Sequence, residues 1–250
     1  MNNNAMNISV HNDPRVAGYY AAYEGLEGSE RYLFEKYIEK GMTILDIGVG
    51  GGRTTPFLLA TAKRYIGIDH AQAMVDICRT KFEGVQFETM GATEMSRFQD
   101  GTFDIAVFSF NGIDNISPEE ARFRCLTEVR RVLKPGGLFI FSSHNAKGLL
   151  VRPRLRGASP FRKVLRIGGA VLSSARLAAP MLRSGVFHRG YGYYLHPVFD
   201  GCLFYASTPE GVSQEAKVSG FEVIEVINGH FPVHASKYFT PCYYYVFLKR

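Results

Sequence analysis

The sequence predicts an α/β fold built on a doubly wound, mostly parallel sheet. Between Met42 and about Ser143, apolar β-rich runs alternate with segments of helical periodicity, the pattern of strands joined by helices that pack on both faces of one sheet. At 250 residues the chain is long enough for one sizeable core. We therefore predict a single domain over residues 1–250.

Seven runs are predicted to be strands: MTILDIG, RYIGID, VQFETMG, FDIAVFSF, LFIFSS, FEVIEVI and YYYVFLKR. Helices are predicted between them, over Thr54–Lys63 and over AQAMVDICRTKF, EEARFRCLTEVRRVL and TPEGVSQEAKVSG. GSERYLFEKYIEK predicts a further helix ahead of the first strand, with apolar positions that would cover the sheet. The asparagines at the start of the chain are expected to be a disordered tail.

Residues 146–200 break the alternation and are predicted to be a basic, mostly helical insert after the fifth strand. The stretch FRKVLRIGGAVLSSARLAAPMLR has apolar positions at near-helical spacing, and Pro180 is expected to kink or end that helix. Lys147–Arg189 contributes ten Lys and Arg and no Asp or Glu to a chain of net charge +6. This asymmetry indicates an anionic partner: a phosphorylated substrate, a membrane surface or a nucleic acid.

Several function classes are disfavoured by what the sequence lacks. It has neither a secretory signal nor an apolar run of membrane-spanning length, so we expect a cytoplasmic protein. Its four cysteines are far apart, and no Cys, His, Asp or Glu cluster has metal-ligand spacing, so no metal is expected. The G-x-S-x-G turn of Ser-His-Asp hydrolases does not occur.

The segment LDIGVGGGRTTPFLL, residues 45–59, is the strongest functional signal. A strand that ends in glycines and opens into a helix brings backbone N–H groups close to a ligand. The dinucleotide fingerprint G-x-G-x-x-G fails, because its third glycine would be Arg53 or Thr55 in the two frames. The pattern that fits is D-x-G-x-G-x-G, formed by Asp46, Gly48, Gly50 and Gly52.

This pattern resembles the first motif of class I S-adenosylmethionine-dependent methyltransferases. DGTFDIAVFSF and LKPGGLFIFS resemble the fourth strand and the turn into the fifth strand of that family. The resemblance implies a Rossmann-like, seven-stranded sheet with an antiparallel last strand, and S-adenosyl-L-methionine as cofactor. It also implies that the N-terminal region, residues 1–40, forms a helical lid.

The resemblance also assigns the cofactor-binding residues. Asp46 would lie near the cationic methionine end, and Asp69, about twenty residues further on, would accept hydrogen bonds from both ribose hydroxyls. The remaining cofactor contacts are expected from Tyr23, His70, Met74, Ala92, Thr93 and Asn111. In MGATEM the family's usual acid is replaced by Gly91, which leaves the adenine to backbone groups of Ala92 and Thr93.

His144 is the candidate catalytic residue, because it follows the fifth strand at the ligand-binding edge and a histidine titrates near operating pH. Asp114 and His196 are weaker candidates. We expect methyl transfer to an oxygen or nitrogen of a small molecule, with the basic insert as substrate cover and a phosphate-bearing acceptor, such as a nucleotide-linked sugar, as one option. The alternatives are a membrane-associated lipid or quinone-like acceptor, which implies peripheral membrane contact, and a non-catalytic cofactor-binding protein. Nucleic acid is disfavoured, because no binding module or base-flipping motif is recognised.

Overall fold

The computed structural model describes residues 3–153, 155, 157, 159–196 and 202–250. Strands in these ranges are β1 (Thr43–Ile47), β2 (Arg64–Asp69), β3 (Gln86–Thr89), β4 (Phe103–Phe108), β5 (Leu133–Asn145), β6 (Tyr191–Leu195), β7 (Leu203–Ser207), β8 (Phe221–Asn228) and β9 (Cys242–Lys249). The helices are α1 (Asn3–His11), α2 (Pro14–Ala21), α3 (Gly28–Tyr37), α4 (Thr55–Thr61), α5 (Gln72–Lys81), α6 (Glu119–Val132), α7 (Pro160–Arg183), α8 (Val186–Arg189) and α9 (Pro209–Val218).

The sheet confirms the predicted fold class. Its first five strands are parallel and lie in the order β3-β2-β1-β4-β5. The last strand, β9, pairs antiparallel with β5, and β8 pairs antiparallel with β9. The strand order reverses between β1 and β4, and open α/β sheets bind ligands at the carboxyl ends of the strands at such a point.

Two apolar layers enclose the sheet. On one face α3, α4 and α5 contribute Leu33, Leu58 and Val75 to a buried cluster with β1 and β2. On the other face α6 and α9 contribute residues such as Leu126 and Val212. The sheet is therefore doubly wound, as the alternation of strands and helices predicts.

The described part of the insert after β5 is mostly helical, with α7 and α8, and it ends in a strand that the sequence did not predict. This strand, β6, forms an antiparallel pair with β7. β5 extends past the end of β4, and its last residues, His144 and Asn145, pair with β7. The aromatic residues of YGYYL favour a strand, and the free end of β5 supplies the edge on which the pair is added. Pro180 lies inside α7 and does not end it.

The N-terminal region is ordered from Asn3 onward, so the expectation of a disordered asparagine tail is wrong there. Asn7 is fully buried, and its side-chain Nδ2 donates to the carbonyls of Asn115 (2.7 Å) and Leu203 (3.2 Å). Two hydrogen bonds to distant backbone segments hold α1 against the carboxyl edge of the sheet. Among the described helices, none combines the length and apolar content needed to cross a bilayer.

Candidate functional site

A cavity opens at the carboxyl ends of β1, β2 and β4, where the strand order reverses. Its walls include the glycine turn after β1, and the N-terminal segment from α1 to residue 23 covers it with Ile8, His11, Tyr20 and Tyr23. The sequence-predicted residues that line the cavity are Tyr23, Gly48, Gly50, Asp69, His70, Met74, Ala92 and Thr93. Asp46, Gly52, Asn111 and His144 are not among its lining residues.

The glycine turn has a backbone that other residues rarely adopt. Gly48, Gly50 and Gly52 all have positive φ, at 64°, 54° and 81°, which glycine tolerates because it has no Cβ. Gly51 is required for a different reason. A Cβ there would lie 2.3 Å from the carbonyl oxygen of Tyr20, so only glycine lets the N-terminal segment approach the turn this closely.

Asp69 joins the glycine turn to the end of β2. Its Oδ2 accepts from the N–H of Gly50 and its Oδ1 from the N–H of Ala71, both at 2.9 Å. A carboxylate has about four acceptor positions, so each oxygen keeps capacity for another hydrogen bond on the cavity wall. This arrangement fits a ligand that presents two neighbouring hydroxyls.

Asp46 lies beneath the turn and is 1% exposed. Its Oδ2 accepts from the hydroxyls of Thr54 (2.8 Å) and Tyr65 (2.9 Å). Burial raises the pKa of Asp46 to about 6, although both hydrogen bonds act in the opposite direction. Its carboxylate is thus engaged by protein groups, and direct contact with a cofactor stays a prediction.

The raised pKa of Asp46 predicts a pH-dependent stability. An unfolded aspartate with a pKa near 3.8 ionises first, so the free energy of unfolding should fall as pH rises from about 4 to about 6. The shift corresponds to about 3 kcal/mol. In Asp46→Asn this contribution disappears, and urea unfolding of the two proteins from about pH 4 to 7 should show the variant gaining stability relative to wild type. A constant difference across that range would contradict the assigned pKa.

Arg53, at the position where a dinucleotide site requires glycine, holds the N-terminal region onto the turn. Its two terminal nitrogens donate to the carboxylate of buried Glu30 at 2.7 and 2.8 Å, and Nη1 also donates to the carbonyl of Gly25. The guanidinium lies over the ring of Phe110, 5.2 Å from its centroid. Sequence reasoning used Arg53 only to exclude dinucleotides and missed this structural role.

The N-terminal residues that cover the cavity were predicted only in part. Ile8, His11 and Tyr20 were not assigned to the site from the sequence. His11 Nδ1 lies 3.3 Å from His70 Nε2. Burial, and then the neighbouring His70, lowers the pKa of His11, which favours the neutral form of its imidazole. The ring of Tyr23 lies 5.3 Å from that of Phe110. The signal available in the sequence was the helical spacing of polar and aromatic residues in this region.

The turn after β4 is strained. Phe110 and Asn111 both have positive φ, at 54° and 58°, a conformation that is costly for residues with a side chain and is concentrated at functional sites. The hydroxyl of Ser142 accepts from the N–H of Asn111 at 2.8 Å. Phe110 and Gly112 line the cavity, so Asn111 is fixed directly behind its wall.

His144 and Asp114 form a hydrogen-bonded pair behind that turn. Fully buried Asp114 accepts at Oδ2 from His144 Nδ1 (2.8 Å) and at Oδ1 from Arg122 Nη1 (3.1 Å). His144 Nε2 lies 3.4 Å from the side-chain nitrogen of Asn111. With Nδ1 donating to the carboxylate, Nε2 presents its lone pair toward the side of Asn111. His196 is close by, and burial, then His144, lowers its pKa to about 4.

Residues 44–137 match the family described as methyltransferase domain. The segment from β1 to the start of β5 is thus similar to a methyltransferase domain. A probable methyltransferase of Aspergillus luteorubrus is 37% identical over 122 residues, 44% of this chain and 42% of that protein. The demethylmenaquinone methyltransferase of Clavibacter sepedonicus is 31% identical over 103 residues, 40% of each chain. The chain thus spans less than half the length of these two relatives.

Solved structures share the fold over nearly the whole chain. The S-adenosylmethionine-dependent methyltransferase of Methanosarcina mazei has a TM-score of 0.60 at 17% identity and covers 87% of this chain and 96% of its own. The 1,6-didemethyltoxoflavin-N1-methyltransferase of Burkholderia thailandensis, bound to S-adenosylhomocysteine, has a TM-score of 0.61 at 15% identity and covers 98% and 86%. S-adenosylmethionine is the cofactor of this family, and the glycine turn with Asp69 fits its nucleoside.

Proposed function

We propose that this chain transfers a methyl group from S-adenosylmethionine to an oxygen or nitrogen of a small molecule. The observation that carries the proposal is Asp69, which lies on the cavity wall with acceptor capacity and is held by the glycine turn. The cofactor supplies a methyl group activated by a positively charged sulfur. The chain has to hold the reactants in line, and such orientation is worth up to about 7–11 kcal/mol of a barrier.

His144 is the proposed general base for a hydroxyl acceptor. Asp114 orients the imidazole through Nδ1, so Nε2 is the nitrogen that accepts the proton. Asn111 contacts Nε2 and is flanked by residues of the cavity wall. An acceptor bound beside Phe110 would therefore need to displace or pass the Asn111 amide to reach His144.

The cavity favours a neutral, flat acceptor over the phosphate-bearing option. Tyr20, Tyr23 and Phe110 supply aromatic surface, whereas Arg53, the arginine found among the described lining residues, is neutralised by Glu30. No described residue of the insert lines this cavity. Arg154 and Arg156, two of the ten basic residues in the predicted substrate cover, lie outside the described residues.

Calorimetry followed by product analysis tests the proposal. The chain should bind S-adenosylmethionine and S-adenosylhomocysteine and should not bind NAD⁺. Incubation of a metabolite extract with methyl-deuterated cofactor should then yield a product that carries the label. Cofactor binding without any labelled product would instead support a non-catalytic cofactor-binding protein, and failure to bind either cofactor would end the proposal.

A further inference from the structure

The first half of α7 projects from the body of the protein. Residues 160–169 are all exposed, whereas α7 is anchored further along by buried Ala170 and Met181. Met181 packs in a cluster with Val186 of α8 and Tyr194 of β6. The N-terminal half of a long helix is thus presented to its surroundings by an anchored C-terminal half.

Large apolar side chains lie on one face of α7 between residues 161 and 172, in the order i, i+3, i+4, i+10 and i+11. Their exposed fractions are high: Phe161 73%, Val164 68%, Leu165 59%, Val171 64% and Leu172 56%. Scattered exposed apolar residues are ordinary, but a contiguous face of this kind marks an interaction site. We call these five residues the α7 apolar face.

Basic residues flank the α7 apolar face. Arg162 lies about 60° beyond Leu165 and Lys163 about 80° beyond Val171 around the helix, and both are exposed. No acidic residue occurs anywhere between Glu128 and Asp200. A partner that covers the α7 apolar face would therefore also meet positively charged side chains at both of its borders.

We infer that α7 lies on an anionic lipid surface, with the α7 apolar face inserted at the level of the headgroups. An exposed amphipathic helix that has Phe and Leu on one face and Arg and Lys beside that face has the composition of interfacial helices. The cations at its border would face acidic headgroups. A second copy of the chain fits less well, because a two-fold interface on this face would bring the same basic residues together.

The inference goes beyond the proposed methyl transfer and does not depend on it. Co-sedimentation with phosphatidylcholine vesicles, with and without phosphatidylglycerol, measures the binding in the absence of cofactor. The intact chain should sediment with the vesicles that contain phosphatidylglycerol, bind pure phosphatidylcholine far less, and be released in part by high salt. Equal binding to both vesicles, or to neither, would overturn the inference.

Two variants separate the contributions of the apolar and the basic side chains to lipid binding. The double change Phe161→Ser and Leu165→Ser should weaken binding by about tenfold or more, and Arg162→Gln with Lys163→Gln should do so by a similar factor. The matched control is Val218→Ser with Lys217→Gln on α9, where both side chains are also exposed; it should bind as the intact chain does.

Light scattering without lipid tests whether a second copy of the chain covers the α7 apolar face. The intact chain and all three variants should have the same molar mass and the same circular dichroism spectrum, since the changed side chains are exposed. If the intact chain is a dimer and Phe161→Ser with Leu165→Ser makes it monomeric, the α7 apolar face is a subunit interface and the inference is wrong.

Discussion

Asp69→Ala should weaken the binding of S-adenosylhomocysteine by about 100-fold or more, because two hydrogen bonds to a charged acceptor are worth about 1.5–3 kcal/mol each. Calorimetry measures this directly. Asp76→Ala is the matched control, since Asp76 lies on the following helix with its carboxylate 60% exposed and outside the cavity. That variant should bind the ligand as the intact chain does.

The same carboxylate also supports the glycine turn through the N–H of Gly50 and holds the residue that precedes α5 through the N–H of Ala71. A purely structural role would weaken every ligand equally. Adenosine and 2′,3′-dideoxyadenosine distinguish the two roles, because they differ only in the ribose hydroxyls. The intact chain should prefer adenosine strongly and Asp69→Ala should not discriminate. If the variant keeps the preference, Asp69 does not bind the ribose.

The sheet could be predicted from the sequence because its strands are apolar runs bounded by turn residues. The glycine turn could be predicted because its backbone conformation requires residues without a Cβ. Gly48, Gly50 and Gly52 carry positive φ in the structure. These constraints act locally, between a strand and the helix that follows it. Such constraints fix the residue types at particular positions, so they can be recognised in the sequence without knowledge of the rest of the fold.

The roof of the cavity could not be predicted in the same way, because its position depends on contacts between distant segments. Asn7 is fixed by carbonyls of Asn115 and Leu203, and Arg53 by Glu30. Polar residues at the start of a chain ordinarily indicate a tail, and only these tertiary hydrogen bonds order them. The hairpin of β6 and β7 likewise depends on the free end of β5.

The hydrogen bond between Asp114 and His144 was also not predicted from the sequence, although both residues were catalytic candidates. Asp114 follows β4 and His144 lies near the end of β5, and the parallel pairing of β4 with β5 brings the two residues together. Arg122 from α6 and the hydroxyl of Ser143 complete the shell of Asp114 at 3.1 and 2.7 Å. Because Asp114 is fixed by these hydrogen bonds, it holds the His144 imidazole in one tautomer. A general base needs a fixed tautomer, whereas a surface histidine does not.

His144→Phe should lower the rate of labelled-product formation by about 10²–10⁴-fold if the acceptor is a hydroxyl, because the proton then has no positioned acceptor. The amount of deuterated product formed in the same metabolite extract measures the loss. Cofactor affinity should be unchanged, since His144 does not line the cavity. His188→Phe, an exposed histidine on α8, is the matched control and should keep full activity.

Chemical rescue separates a base from a structural histidine. Added imidazole should restore part of the activity of His144→Ala, because it supplies the missing base. A histidine that only supports the turn after β4 would give a variant that imidazole cannot rescue. Full activity in His144→Phe would mean either that the acceptor is a neutral amine, which needs no base, or that another group takes the proton. In both cases His144 would lose its catalytic assignment, while the roles of Asp69 and the glycine turn would be unaffected.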